Sequence, residues 1–304
     1  MEFTLLDRSR LLVVFLCISC WAHAQLTPWQ LVSGNLDFII EDGYFSSPDS
    51  GIVVGNFYDY RQDNVAYIAR TLDRGRQYEL LFSDTTNSIF LRSIASIGDD
   101  LICVGRFGTA YRANRDGVQW HRLDLGGQED LNFIRQVRED KILIAGERGL
   151  MLESNDGGQT WKRRFVGSRE ELTGFVFADA ENGRCFGYAG AVYKTADGKK
   201  NWRNISVDKA IRINTAVIID AETFLVAGEE NTIYKTNDSG RSWRRMYFEA
   251  PKLTAHKAIR FFDDSYGVLV DWEGGFLQDI KIYETFDQGE HWQLDTVVTL
   301  ASGQ

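Results

Sequence analysis

The sequence predicts an all-β fold, a β-propeller of four-stranded antiparallel blades, on three observations. A short turn motif that closes with an aromatic residue recurs along most of the 304-residue chain. By subtraction of residue numbers, Trp120, Trp161, Trp202 and Trp243 follow one another at a constant interval of 41 residues. Each interval holds four short apolar stretches, typical of a propeller blade, and a fixed period of this length marks a repeat architecture.

The recurring motif reads Ser/Thr-x-Asp-x-Gly-x-x-Trp. Residues 154–161, 236–243 and 285–292 are full copies, while 71–78, 195–202 and 113–120 are partial ones. The retained positions of the motif are Asp73, Gly75, Asp156, Gly158, Trp161, Asp197, Trp202, Asp238, Gly240, Trp243, Asp287, Gly289 and Trp292.

The motif has a mechanical interpretation as a hairpin turn. The Asp accepts hydrogen bonds from backbone N–H groups of its own turn, the Gly supplies a positive φ, and the hydroxyl adds a second local bond. The Trp then buries a large ring at the start of the next strand. We therefore expect these turns to be structural. One carboxylate per turn also falls far short of the six to eight oxygens that calcium prefers.

These residues resemble the Asp-box, or bacterial neuraminidase repeat, of sialidase-type β-propellers. The wider repeat is more similar to the photosystem II assembly and stability factor family. The residues that show this similarity run from the Phe-x-Phe-x-Asp sequence at 175–179 through Gly183, Gly187 and Gly190 to the box at 195–198. The resemblance covers nearly all of residues 36–300. It implies the propeller fold, and only weakly a function, since propellers host many activities.

Strand positions follow from the apolar stretches around each box. The third unit predicts strands at 133–137, 142–145, 150–153 and 162–166, and the fifth at 214–219, 224–227, 232–235 and 244–248. Six boxes favour six blades. Residues 28–32 resemble a seventh outer strand, which would complete the last blade beside or in place of 293–298, because ring closure removes exposed edges. Seven blades is the alternative.

The first 24 residues are typical of a secretory signal peptide. Arg8 and Arg10 precede a compact apolar run, and residues 22–24 read Ala-His-Ala, a cleavage pattern. This predicts an exported protein, periplasmic, cell-surface or secreted, with residues 25–304 forming one propeller domain. An uncleaved anchor and a lipid anchor at Cys20 are the weaker alternatives. The apolar run is shorter than the ~18–20 residues of a membrane span.

Charge and cysteine content exclude several classes of site. The formal net charge of −9 argues against a nucleic-acid partner, which requires a basic surface. The mature chain keeps Cys103 and Cys185, at equivalent strand positions of non-adjacent repeats. We expect both to be buried free thiols, too far apart for a disulfide. No Cys/His spacing predicts a metal site, and no motif predicts a cofactor.

The candidate binding surface is the face opposite the box turns, where second and third strands connect. Function concentrates on loops carried by a regular frame. Arginine also recurs there, and its planar fork binds carboxylates and phosphates. Arg92, Arg135 and Arg260 are assigned to matching inner-strand positions. The alternative is that each arginine pairs with a nearby acid. The candidate residues are Tyr58, Asp59, Arg61, Arg92, Arg106, Arg135, Arg148, Arg260, Asp271, Trp272 and Glu273.

The sequence therefore predicts a non-catalytic propeller that binds a partner protein, in an assembly-type role at an envelope or membrane complex. The resembling family also holds its protein client through arginines, which implies a similar use here. The alternative is a sialidase-like glycan-binding protein or glycoside hydrolase. Asp59, Glu229, Asp271 and Glu273 could supply a carboxylate pair, but their spacing singles out no pair. The Arg-Ile-Pro segment of sialidases is missing from the sequence.

Overall fold

The computed structural model describes residues 39–47, 49–57, 65–85, 89–179, 181–198, 201–207, 211–246, 254–273 and 278–300. The predicted signal peptide, the predicted strand at 28–32 and the candidate residues Tyr58, Asp59 and Arg61 lie outside this part of the chain. Only the backbone is described for residues 39, 57, 254–257, 272–273, 278–280, 296 and 298–300.

The backbone contacts divide the chain into two compact units. The first holds two complete sheets and most of a third; the second holds three complete sheets and the rest of the third. The boundary crosses the third sheet after Ile144, Met151 and Lys162.

Twenty-four strands form six four-stranded antiparallel sheets within the described residues. The first unit begins with β1 (Ile39–Phe45), β2 (Gly51–Phe57), β3 (Val65–Thr71), β4 (Glu79–Asp84), β5 (Leu91–Ile97), β6 (Asp100–Gly105), β7 (Ala110–Asn114) and β8 (His121–Arg122). The third sheet consists of β9 (Leu131–Arg138), β10 (Lys141–Gly146), β11 (Leu150–Ser154) and β12 (Lys162–Phe165).

The second unit continues the same order. Its strands are β13 (Leu172–Phe177), β14 (Gly183–Gly187), β15 (Val192–Thr195), β16 (Arg203–Asn204), β17 (Ile213–Ile218), β18 (Phe224–Gly228), β19 (Thr232–Thr236), β20 (Arg244–Met246), β21 (Thr254–Phe261), β22 (Gly267–Glu273), β23 (Gln278–Thr285) and β24 (Gln293–Leu300). Within the described ranges, the segments Glu147–Gly149 and Tyr188–Gly190 are single 3-10 turns between strands.

Every sheet pairs its four strands in chain order, which is the blade of a β-propeller. The prediction of six four-stranded blades is confirmed. In the sixth sheet the fourth strand is β24, which pairs with β23 from Glu284↔Gln293 to Gln278↔Leu300.

Glycine ends the second strand of several sheets for a steric reason. A Cβ on Gly105 would lie 1.7 Å from the carbonyl oxygen of Phe90, and one on Gly228 would lie 1.9 Å from that of Arg212. The chain entering the first strand therefore passes directly over these glycines. In the sixth sheet Asp271 takes this position, and β21 and β22 stay paired beyond it, to Thr254↔Glu273.

Aliphatic side chains of neighbouring sheets interlock within each unit. In the first unit, Ile52, Val54 and Ile68 of the first sheet pack with Leu101 and Cys103 of the second, all nearly or fully buried. Burial of each such side chain contributes roughly 1.5–3 kcal/mol. Cys103 and Cys185 are buried free thiols, as predicted, and burial raises the pKa of both.

No helix in the described part of the chain is long and apolar enough to cross a membrane.

Candidate functional site

In the first, third, fifth and sixth sheets the Asp-box turn joins the third and fourth strands through the same hydrogen bonds. In the third sheet Ser154 Oγ donates to Asp156 Oδ1 at 2.8 Å and accepts the Gly158 N–H at 2.8 Å. Asp156 also accepts the Thr160 N–H at 2.9 Å. Gly158 has a φ of 82°. Equivalent bonds form around Thr236 and Thr285.

These turns occupy one end of their sheets, together with the first hairpin. The Gly157 N–H donates to the Asp140 carbonyl at 3.1 Å, and the Ser239 N–H to that of Glu222 at 2.9 Å. The box carboxylates are thus consumed by their own turns and are poorly placed to bind a ligand.

The lowered pKa values of the box carboxylates predict that the fold loses stability in acid. Hydrogen bonds from the Thr160 hydroxyl and N–H lower the pKa of Asp156 to about 2. For Asp287, burial raises the pKa, but bonds from His291 and Thr285 outweigh it and leave a pKa of about 2. A lowered folded-state pKa contributes stability above the unfolded value of about 4 that is lost as pH falls through the folded value.

We therefore expect the melting temperature to fall between about pH 4 and pH 2, and Asp156→Asn to flatten that fall. Asp116→Asn, an exposed carboxylate outside the Asp position of its box, is the matched control. Identical pH profiles for Asp156→Asn and the unaltered chain would contradict this role of the box.

Among the described residues, the opposite end of the sheets carries four tight turns with the same backbone conformation. Each connects a second strand to a third and holds a non-glycine residue in the left-handed region, and we call them the αL turns. The left-handed residues are Phe107, Arg148, Ala189 and Glu230, with φ between 52° and 56°. Gly108, Gly149 and Gly190 follow them and donate to the Glu129, Glu170 and Ile211 carbonyls at 2.7–2.9 Å.

Phe107 has the least expected side chain at such a position. A left-handed conformation costs a non-glycine residue roughly 1–2 kcal/mol, and Phe107 remains 57% exposed. Neither backbone energy nor burial therefore explains a phenylalanine at this turn. Phe107 is not among the candidate residues that the sequence predicts.

Arg92 and Arg106 are brought together by one carboxylate. Arg92 lies 3.0 Å and Arg106 3.6 Å from Asp130 Oδ2, and the Phe107 N–H donates to Oδ1 of the same group at 3.1 Å. The Arg106 guanidinium also stacks over Phe90 at 4.5 Å. The predicted alternative, pairing with a nearby acid, therefore holds for both. Two guanidiniums share one carboxylate, and Arg106 stays 42% exposed.

The matching positions assigned to Arg92, Arg135 and Arg260 are partly wrong. Arg92 occupies the β-bulge between Leu91 and Ser93, whereas Arg260 lies past the equivalent bulge and pairs with Val268. Counted from the bulge residue of its strand, Arg260 therefore lies three positions further along than Arg92 does. Arg135 is exposed on β9, and Arg260 is exposed and stacks on Phe262 at 5.5 Å.

Asp271, Trp272 and Glu273 were assigned to a loop, and this is also wrong. All three lie in β22, paired with His256, Ala255 and Thr254. The second strands of the second to fifth sheets end in glycine, whereas β22 has Asp271 at that position and continues to Glu273. Asp271 is fully buried. Arg148 is exposed at its αL turn. No group of His, Cys, Asp or Glu among the described residues is placed to hold a metal ion.

Comparison with known proteins agrees with this architecture. The family model described as photosynthesis system II assembly factor YCF48 matches residues 118–251. No curated protein matches the chain in sequence. Among solved structures, YCF48 from Cyanidioschyzon merolae is 16% identical with a TM-score of 0.60, covering 84% of each chain.

Other solved propellers are comparably similar. U3-55K is 10% identical with a TM-score of 0.63, over 86% of this chain and 82% of that one. A GH74 enzyme from Niastella koreensis is 11% identical with a TM-score of 0.58, over 84% of this chain and 58% of that one. At such identities the solved structures show the fold alone. The chain is therefore a six-bladed Asp-box β-propeller that resembles the photosystem II assembly factor family across residues 118–251.

Proposed function

We propose that this chain is an exported, non-catalytic β-propeller that binds a partner protein at its αL turns, in an assembly-type role at an envelope or membrane complex. The proposal rests on Phe107, which combines a strained left-handed backbone with an exposed aromatic side chain and lies beside Arg106. Unfavourable backbone conformations that persist in a fold concentrate at functional sites. The family match to an assembly factor supports the same class of function.

The αL turns provide two kinds of contact for a protein segment. The Phe107 ring offers an apolar anchor, and aromatic and arginine side chains dominate binding energy at protein interfaces. Arg106 remains 42% exposed while it contacts Asp130, so its guanidinium is accessible to an acidic group on the partner. Residues at the same positions of the other turns differ, as expected where a fixed frame carries variable loops.

The glycoside hydrolase alternative gains no specific support from the described carboxylates. Glu229 pairs with Arg212 at 3.3 Å, and Asp271 is buried within a strand. Neither forms an open pair on a cleft, and we propose no second function.

Phe107→Gly separates binding from folding. Glycine removes the left-handed strain, so we expect the melting temperature to stay the same or rise. Loss of the ring should weaken partner capture about tenfold, which corresponds to about 1.4 kcal/mol. The measurement is capture from a solubilised envelope fraction, with the amount of captured partner compared between variants.

Ala189→Gly is the matched control, because it makes the same backbone change without removing a ring, and it should retain capture. Arg106→Glu, which reverses the exposed charge beside Phe107, should also weaken capture while the chain stays folded. Full capture by both Phe107→Gly and Arg106→Glu would exclude this turn as the binding surface.

A further inference from the structure

Basic residues on third strands connect neighbouring sheets at their box-turn end. Arg112 donates to the Gly158 carbonyl at 3.1 Å, Lys194 to that of Ser239 at 2.9 Å, and Lys235 to that of Gln288 at 2.9 Å. In each case the acceptor belongs to the Asp-box of the following sheet. The surroundings of these three contacts differ in charge.

The junction of the fifth and sixth sheets is bridged by a carboxylate. Lys235 pairs across the strands with Arg244, and Glu290 of the following box binds both side chains, with Lys235 Nζ at 2.6 Å. Glu290 stands immediately after the box glycine, Gly289. Two cations and one bridging carboxylate therefore close this junction internally.

The junction of the fourth and fifth sheets has the opposite sign at that position. Arg241 follows the box glycine Gly240, where the next box has Glu290. On the fourth sheet, Arg184, Lys194 and Arg203 are direct cross-strand partners and share one face. Like charges placed opposite one another on a sheet are destabilising. Four cations therefore lie together at this junction, whereas the junction of the fifth and sixth sheets has two cations and a carboxylate.

Arg184 shows that this charge is not compensated within the described residues. Its side chain is only 6% exposed, yet its Nε has no hydrogen-bond partner there. The guanidinium donates to the Gly183 carbonyl at 3.0 Å and lies 5.0 Å from the Phe224 ring. Burial lowers the pKa of Lys194, and Arg203, Arg184 and Arg241 lower it further.

A groove of about 450 Å³ opens among these side chains, lined by Lys194, Thr195, Ala196, Asp197, Asn201, Arg203 and Arg241. The carboxylate among them, Asp197, is bonded to Thr195 Oγ1 at 2.8 Å and to Asn201 Nδ2 at 2.7 Å. Asp238, which lies near Lys194, is likewise held by its own box turn. Neither acid takes the bridging position that Glu290 takes in the next junction.

We propose that this groove binds a phosphate-type oxyanion, with Lys194, Arg203 and Arg241 as its ligands and Arg184 as a buried positive charge beneath them. A multivalent oxyanion would supply here the negative charge that Glu290 supplies at the junction of the fifth and sixth sheets. The planar guanidinium groups of Arg203 and Arg241 match the geometry of phosphate oxygens. The groove lies at the box-turn end of its sheets, so this site is separate from the partner surface at the αL turns.

The test is calorimetric titration of inorganic pyrophosphate into the full chain, with sodium chloride at matched ionic strength as the reference. We expect one pyrophosphate site per chain. Arg241→Glu should lower the affinity for pyrophosphate about tenfold or more, because it places a carboxylate where the sixth sheet has Glu290. Arg203→Ser should weaken binding in the same direction. Arg76→Glu, at the same box position of the first sheet, is the matched control and should change affinity by less than about twofold.

Two further measurements distinguish a lipid headgroup from a soluble phosphate compound as the ligand. Sedimentation with phosphatidic acid vesicles, competed by pyrophosphate, would support the site with a lipid headgroup as its ligand. Pyrophosphate binding without vesicle binding would support it with a soluble phosphate compound. Equal weakening by Arg241→Glu and Arg76→Glu, a response that sodium chloride reproduces, or capture of an acidic polypeptide without any pyrophosphate binding would overturn the proposal.

Discussion

Lys141→Met is expected to lower the free energy of unfolding by about 3–5 kcal/mol, because it removes one partner of a buried ion pair. Lys141 begins β10 and Glu153 lies in the neighbouring β11, with Nζ and Oε1 3.4 Å apart. Their side chains are only 1% and 5% exposed. The variant leaves a carboxylate in the interior without its ammonium, and desolvation of that charge is the source of the cost.

Urea unfolding of matched variants measures this effect. Arg70→Met breaks a pair of the same charge type on β3, but Arg70 and Glu79 are 27% and 63% exposed, so the loss should be under about 1 kcal/mol. The double variant Lys141→Met with Glu153→Leu should recover most of the stability, since replacing a whole buried pair by apolar groups is often neutral. A cost for Lys141→Met no larger than for Arg70→Met would contradict this account.

Much of the fold is readable from the sequence because the repeat is carried by local chemistry. The box turns depend on hydrogen bonds within eight residues, so their Asp and Gly positions fix where third strands end and fourth strands begin. The predicted strand at 214–219 differs from β17 by one residue at each end. The six-blade count follows from the same spacing.

The errors arose where one residue changes the register without changing the pattern. Arg92 lies in a β-bulge whereas Arg260 lies past the equivalent one, and counting residues along the sequence does not reveal this difference in pairing. Asp271 replaces a strand-ending glycine, and the sequence does not state whether the chain then turns or continues.

The candidate site was only partly visible for a different reason. A repeated Gly-x-x-Gly pattern, at 105–108, 146–149 and 187–190, marks the αL turns and could have identified Phe107 as the residue of interest. That its φ is positive, and its ring exposed, is a property of the folded turn. The exchange of Glu290 for Arg241 is equally present in the sequence. It acquires meaning only when the cross-strand partners of Lys194 and Lys235 are known.

Asn56 occupies a position where a side chain replaces a missing strand. β5 is the first strand of its sheet, so the backbone groups on its open side have no strand partner. Asn56 Nδ2 donates to the Leu91 carbonyl at 2.9 Å, and the Leu91 N–H donates to Asn56 Oδ1 at 2.8 Å. Both residues are fully buried. One amide thus satisfies a backbone donor and a backbone acceptor of the neighbouring sheet.

Asn56→Ala is expected to lower the free energy of unfolding by about 2–4 kcal/mol, because it leaves a buried N–H and a buried carbonyl without partners. Urea unfolding measures the loss. Asn204→Ala, which removes an exposed asparagine on β16, should cost much less, and an equal cost would contradict the account.

Asn56→Asp tests the same contact through its protonation state. The introduced carboxyl can still accept the Leu91 N–H, but its second oxygen faces the Leu91 carbonyl unless it carries a proton. Its folded-state pKa should therefore be raised above the unfolded value of about 3.9. A raised pKa for an acid means that stability, relative to the unaltered chain, is greatest at low pH and falls as pH rises above the unfolded value. The gap in melting temperature between the two proteins should thus be wider at neutral pH than near pH 4. A gap that does not change with pH would show that the amide donor of Asn56 contributes nothing to the contact.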